Sequence, residues 1–163
     1  MKRSFVWTLV LVASFTLTSA ANWTPEQQQA LDHLQGCWNA WEKSVAERDR
    51  DFWVQACRPD PEILMWFNGD GMPQDQDAQE RLSVWSTETI DRVLYTDIRP
   101  IDIKIHGDTA LIAFYAYGAW IDKNGKRIVL QDKRIIILQK KSGQWTFIGG
   151  MATQVPSVPY WQE

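Results

Sequence analysis

Between Thr109 and Ile121 the chain reads TALIAFYAYGAWI, thirteen residues without one charged side chain. A helix needs about 20 residues to cross a bilayer, so this run is too short to span as one. As a strand it makes a different demand. Successive side chains point to opposite faces, and here both faces are apolar, so each needs a cover. A second run, Ile128–Leu138 (IVLQDKRIIIL), repeats the demand and breaks it only at Gln131-Asp132-Lys133-Arg134. Two adjacent strands of this kind belong to a sheet with something packed on both sides.

The flanking sequence supplies the rest of that sheet. Arg92–Ile105, Thr109–Ile121, Arg127–Lys140 and Trp145–Ala152 are separated by HGD, DKNGK and KSGQ, each a turn containing glycine. Upstream the period is helical. Thr24-Pro25-Glu26-Gln27 places a Thr cap, proline at the first helical position and Gln at the third. Leu31, Leu34, Trp38, Trp41 and Val45 follow at helical spacing, forming one apolar stripe on a long helix. A short helix from about Arg50 to Ala56 ends at Arg58-Pro59-Asp60-Pro61, since two prolines within three residues cannot continue it. Glu62–Phe67 has the composition of a short buried strand. Asp75 to about Ile90 is expected as a third helix, acidic at its positive end. Helices first and antiparallel strands after make an α+β domain.

The first residues set the compartment. Lys2 and Arg3, an apolar stretch from Phe5 to Leu17 and small residues through Ala20-Ala21 form the three parts of a secretory signal peptide. Thr18 and Ala20 suit cleavage after residue 20, and Ser19 and Ala21 suit cleavage after residue 21. An uncleaved anchor is the rival reading, disfavoured by the short apolar stretch. The expected organisation is therefore a signal peptide over 1–21, one domain over 22–155 and a proline-punctuated tail over 156–163. The destination is secreted or periplasmic, with no integral membrane segment after cleavage. Formal net charge is −3 and becomes −5 once Lys2 and Arg3 are gone. An acidic domain without a basic run is a poor partner for nucleic acid.

Cys37 and Cys57 flank the helical hairpin whose turn falls near Glu47–Arg50. At about 1.5 Å per residue they sit at similar height. A disulfide would close a loop of about 20 residues and contribute on the order of 3 kcal/mol. Helix axes about 8–10 Å apart leave two buried thiols as the alternative.

These elements resemble the nuclear-transport-factor-2-like superfamily, in its SnoaL-like and ketosteroid-isomerase-like branch. Pro100 through Leu111 (PIDIKIHGDTAL) is similar to that family's proline, alternating strand and Gly-Asp turn. Ser142-Gly143-Gln144-Trp145 is similar to its Gly-x-Trp hairpin. The resemblance implies a cone: a strongly curved antiparallel sheet wrapped on the first helix, a pocket at the open end, and a second subunit on the convex face. A homodimer would then cover what helices leave bare.

Conventional chemistry is absent. His33 and His106 lie far apart without ligand spacing, so no metal is expected, and the acidic stretch DGMPQDQDAQE fails the calcium-loop pattern. Nothing calls for a cofactor. Asp132 and Arg134 are two apart and share a face with Leu130, Ile136 and Leu138, where charge is costly unless paired or at a wet opening. They form either an outer ion pair or part of the pocket, where Arg134 would grip a carboxylate or Asp132 would take a proton. Tyr115 and Tyr117 share one face of the neighbouring strand, and Phe114 and Trp120 share the other.

The ketosteroid-isomerase comparison implies a base carboxylate near the end of the first strand. That stretch here is Met65-Trp66-Phe67-Asn68, with Asp70 only in the following loop. Relatives' histidine in the last strand corresponds to Met151. Both departures favour a non-catalytic domain that binds a small, largely apolar molecule among Trp41, Trp66, Trp120, Phe114, Tyr115, Asp132 and Arg134. The alternatives are an isomerase, dehydratase or cyclase using Asp132 or Asp70 as base with Tyr117 as oxyanion donor, or a protein-interaction module.

Overall fold

The computed structural model describes residues 22–60, 65–67, 73–74 and 86–155, with the side chains of 65–67 and 73–74 excepted. The expected signal peptide, the loop bearing Asp70, the Trp66 side chain, most of the expected third helix and the tail over 156–163 lie outside the described residues. Helix α1 runs Pro25–Glu47 and α2 Asp51–Cys57, followed by strands β1 (Met65–Phe67), β2 (Pro73–Gln74), β3 (Ile90–His106), β4 (Thr109–Asp122), β5 (Arg127–Lys141) and β6 (Gln144–Gln154). Their order in the sheet is β2-β1-β6-β5-β4-β3. The four long strands are antiparallel, and β1 joins the edge of β6 in parallel. Residues 86–89 form a helical turn, and Ile90 already belongs to β3, so the expected third helix stops short of it.

Helix α1 starts where its capping chemistry dictates. Thr24 accepts from the Gln27 backbone N–H while the Gln27 side chain accepts from the Thr24 N–H, satisfying two donors at the open end. It ends at Arg48, whose left-handed backbone (φ 59°) turns the chain into α2. The Arg48 guanidinium then fixes the helix end to the sheet, donating to the carbonyls of Thr87 (3.1 Å), Asp91 (2.8 Å) and Ile90. At the other end Gln27 donates to the Ile103 carbonyl at 2.7 Å, and Lys140 pairs with Glu26 at 2.6 Å. Helix α1 is thereby held antiparallel to β3 along its whole length.

Three register shifts in β3, at Ile90/Arg92, Val93/Tyr95 and Pro100/Asp102, bend that strand around the helix. The result is a curved, unclosed sheet with α1 against its inner face. The main core lies between them, with Leu34 and Cys37 of α1 meeting Ile103, Ala110, Ile112, Phe114, Ile136 and Leu138. A smaller cluster of Val45, Ile90 and Trp120, packed against Trp41, closes the end near the α1 C-terminus.

Candidate functional site

Period-two alternation divides β4 into two faces. Ala110, Ile112, Phe114 and Ala116 are buried against α1, whereas Leu111, Ala113, Tyr115 and Tyr117 turn outward. The register carries the division across to β5: Phe114 lies opposite Arg134 and Ala116 opposite Asp132, while Tyr115 faces Lys133 and Tyr117 faces Gln131. Asp132 and Arg134 therefore belong to the inner face. From β6 their partners are Gln154 and Ala152, and Ile136 lies opposite Gly150, so that strip carries little apolar bulk.

On this face the charged pair is closed. Arg134 Nη2 donates to Asp132 Oδ2 at 2.8 Å, with the two side chains only 20% and 8% exposed. Burial pushes the Arg134 guanidinium below its ordinary value, and the hydrogen bond and charge of Asp132 oppose that shift. An arginine so placed remains a cation. Its guanidinium carbon lies 5.0 Å from the centroid of Trp38, whose ring meets Phe114 edge-on at 6.0 Å and 89°. Cation, indole and phenyl ring thus form one continuous wall.

The wall is incompletely satisfied. Asp132 Oδ1, Arg134 Nε and Trp38 Nε1 are all buried, and none has a hydrogen-bond partner. A buried polar group without a partner costs about 1–3 kcal/mol, and three lie in this one neighbourhood, two donors and an acceptor. Next along α1, one turn past Trp38, Glu42 accepts a hydrogen bond from Thr96 on β3. Thr96 pairs with Gly118, where an added Cβ would stand 3.3 Å from the Tyr95 carbonyl oxygen, so helix, β3 and β4 approach closely there.

The residues singled out in the sequence separate. Asp132, Arg134 and Phe114 come together. Trp41 and Trp120 meet edge-on at 6.1 Å in the smaller cluster, and Trp41 Nε1 is already spent on Ser86 Oγ at 3.1 Å. Tyr115 and Tyr117 are a correction. They stack on each other at 6.1 Å on the outer face, because a shift of one residue along a strand reverses the side chain's direction. Met151, too, is outward and half exposed. Trp38 and Glu42 were missed. The available signal was helical spacing, which puts Glu42 four residues after Trp38 and three before Val45, on the edge of the apolar stripe.

Cys37 on α1 and Cys57 at the end of α2 are free thiols buried in the same core cluster, so of the two pairings open to them the disulfide is not the one formed here. No group of three or more His, Cys, Asp or Glu able to hold a metal ion occurs among the described residues, and no helix among them is long and apolar enough to cross a membrane.

No protein-family model and no curated protein matches the chain. Solved structures do. A ketosteroid isomerase-like protein from Erwinia carotovora atroseptica superposes with a TM-score of 0.64 at 11% identity, over 82% of this chain and 98% of that one. An NTF2-like protein from Cytophaga hutchinsonii gives 0.60 at 14%, over 81% and 100%. The association domain of C. elegans CaMKII gives 0.53 at 17%, over 78% and 94%. At such identities the likeness is one of architecture. The chain has the nuclear-transport-factor-2-like fold, an α+β curved antiparallel sheet packed on N-terminal helices.

Proposed function

We propose that this domain binds a small, largely apolar ligand carrying one polar group, and that it does so without catalysis. The supporting observation is the trio of unpartnered buried atoms, Trp38 Nε1, Arg134 Nε and Asp132 Oδ1, set among Phe114, Ala116 and Ile136. Apolar walls with a few convergent polar groups are the usual composition of a small-molecule site. A ligand oxygen accepts from the two N–H groups, a hydroxyl or amide hydrogen goes to Asp132, and the apolar body lies along the sheet. Native mass spectrometry of protein purified from its source should find a bound small molecule. Trp38→Phe, which keeps an aromatic ring and loses only the N–H, should weaken its binding by about 1 kcal/mol. Repeatedly empty protein would reject the reading.

The same free Asp132 Oδ1 favours a second reading, an isomerase, dehydratase or cyclase in which Asp132 takes a proton. That reading requires the co-purified molecule to be converted by the wild type and bound unchanged by Asp132→Asn. Binding with no conversion by either protein rejects it.

Two further proposals concern setting. The domain is exported, its mature form beginning at Ala21 or Asn22, which mass spectrometry of the extracellular or periplasmic fraction tests. It also forms a homodimer through the outer face, where Leu111, Ile135 and Met151 stand exposed. The resemblance in fold to an association domain supports that assembly. Light scattering showing only monomer at micromolar concentration would reject it.

A further inference from the structure

The tip of the β4–β5 hairpin, Asp122-Lys123-Asn124-Gly125-Lys126, carries chemistry that neither face of the sheet uses. The Gly125 N–H donates to the Asp122 carbonyl at 2.9 Å, and the Asp122 N–H to the Lys126 carbonyl at 2.9 Å. The Asp122 carboxylate clamps the same turn. Its Oδ1 accepts from the backbone N–H groups of Asn124 at 2.9 Å and Lys126 at 2.8 Å. The Lys123 N–H ties the tip to the Thr89 carbonyl at 2.9 Å.

We infer that Asn124–Gly125 is a self-modification site, where the asparagine loses its amide through a cyclic imide and leaves aspartate or isoaspartate in the chain. Ring closure brings the backbone nitrogen of the following residue onto the side-chain amide carbon, and a side chain on that residue stands in the way. Gly125 has none, and a Cβ added there would meet no atom within 4 Å. Its φ of 80° lies in the left-handed region that glycine adopts without strain. Both residues are exposed, so water and hydroxide reach them. Lys123 and Lys126, exposed on either side, favour the anionic nitrogen that attacks. The other asparagines among the described residues lack these features. Asn39 lies within α1, accepts from Gln35 Nε2 at 3.0 Å and precedes Ala40, and Asn22 precedes the bulky Trp23.

In the first step the Gly125 nitrogen gives its proton to hydroxide and bonds to Asn124 Cγ. The Cγ–Nδ2 bond breaks, and ammonia leaves after taking a proton from water. Water then opens the five-membered imide. Opening at Cγ gives aspartate; opening at the main-chain carbonyl gives isoaspartate, whose main chain runs through Cβ and Cγ and is one carbon longer. The sum is one water consumed and one ammonia released, with no oxidant or reductant. The Gly125 N–H must first leave the Asp122 carbonyl, so the clamped turn acts as a brake. Either product adds a negative charge beside Asp122, and isoaspartate also displaces the N–H groups that Asp122 holds.

The test incubates the full chain in mildly alkaline buffer and maps the loss of amide by peptide, because the second Asn–Gly pair, Asn68–Gly69, lies outside the described residues. The peptide spanning Asp122 to Gln131 is expected to gain one negative charge and to divide into aspartate and isoaspartate forms, while Asn22 and Asn39 keep their amides. Asn124→Gln should abolish the change in that peptide. Asp122→Ala keeps the dipeptide and removes the clamp, and should speed the reaction about tenfold, the worth of one hydrogen bond. An Asn124 amide that persists while a synthetic peptide of the turn loses its own would overturn the site. A rate left unchanged by Asp122→Ala would overturn its control by the turn.

Discussion

The two faces of β4 carry similar apolar side chains and meet opposite surroundings. Inward, Ile112, Phe114 and Ala116 are sealed by α1. Outward, Tyr115 and Tyr117 stack and are roofed by cations, Lys133 at 5.4 Å from the Tyr115 centroid and Arg99 at 5.0 Å from that of Tyr117. The stems of long basic side chains cover apolar surface while their heads stay in water. A charge-free strand thus needs no second layer of secondary structure along its whole outer face. Elsewhere on the sheet cover is missing: Leu94, Tyr95 and Ile101 on β3, Leu111 beside the β3–β4 turn, Val129 and Ile135 on β5 and Met151 on β6 remain exposed. The inner face gains its stability from burial against α1, and the outer face is covered in part by its own cations.

The largest expected effect lies inward. Phe114→Ala removes a fully buried ring that also supports Trp38, and should cost about 3–5 kcal/mol in urea unfolding. Tyr115→Ala, one residue away, should cost far less. Equal losses would break the contrast between the faces.

The ion pair sharpens the contrast next. Arg134→Met strands Asp132 in an apolar wall, at a cost of about 3–5 kcal/mol for a fully buried pair. The 20% exposure of Arg134 places the expected loss at the lower end. Asp132→Leu combined with Arg134→Met should recover much of it, and ligand binding should weaken. A coupling near zero in this thermal-unfolding cycle would mean that the pair behaves as a surface pair, at about 0–1 kcal/mol.

How much of this was legible follows from what periodicity can and cannot carry. The Thr24 cap, the α1 stripe and the three glycine turns are local signals, and the elements formed at those places. The two-residue spacing of Asp132 and Arg134 fixed a shared face, and charge among aliphatics marked it as worth attention. Spacing does not say which face turns inward, however, so Tyr115 was grouped with Phe114 although the pleat sends them apart. Trp38 went unnoticed as a site residue because a tryptophan in an apolar stripe looks like core. Only the position of Arg134 on a strand nearly a hundred residues later makes it a wall. Contacts at that separation depend on the curvature of β3, which three register shifts produce and no composition announces.

A medium effect probes the close approach. Gly118→Ala puts a methyl group against the Tyr95 carbonyl oxygen and Thr96 Cγ2, at 3.3 and 3.4 Å. Backbone is the neighbour, so the strand must move, and overpacking of this kind costs about 1–3 kcal/mol. Because Thr96 also holds Glu42, the change should loosen α1 against β3, visible as faster amide exchange in β3. Unchanged stability would show that the two strands have slack at this point.

The smallest effect tests the outer face itself. A Lys133→Gln and Tyr115→Leu cycle isolates the cation over the ring. At an exposed site such a pair contributes about 0.5–1 kcal/mol, and about 2 kcal/mol or more when desolvated. The coupling therefore reports what lies over the face in solution. Measured in dilute protein, it should sit in the lower range. If a second copy packs on this face, the coupling should climb toward the upper value as concentration rises and light scattering passes from monomer to dimer. A dimer that forms while the coupling stays low would place the contact at Leu111, Ile135 and Met151, away from the tyrosines. A coupling already high in the monomer would mean that the cations alone desolvate the stacked rings, leaving the outer face no need of a partner there.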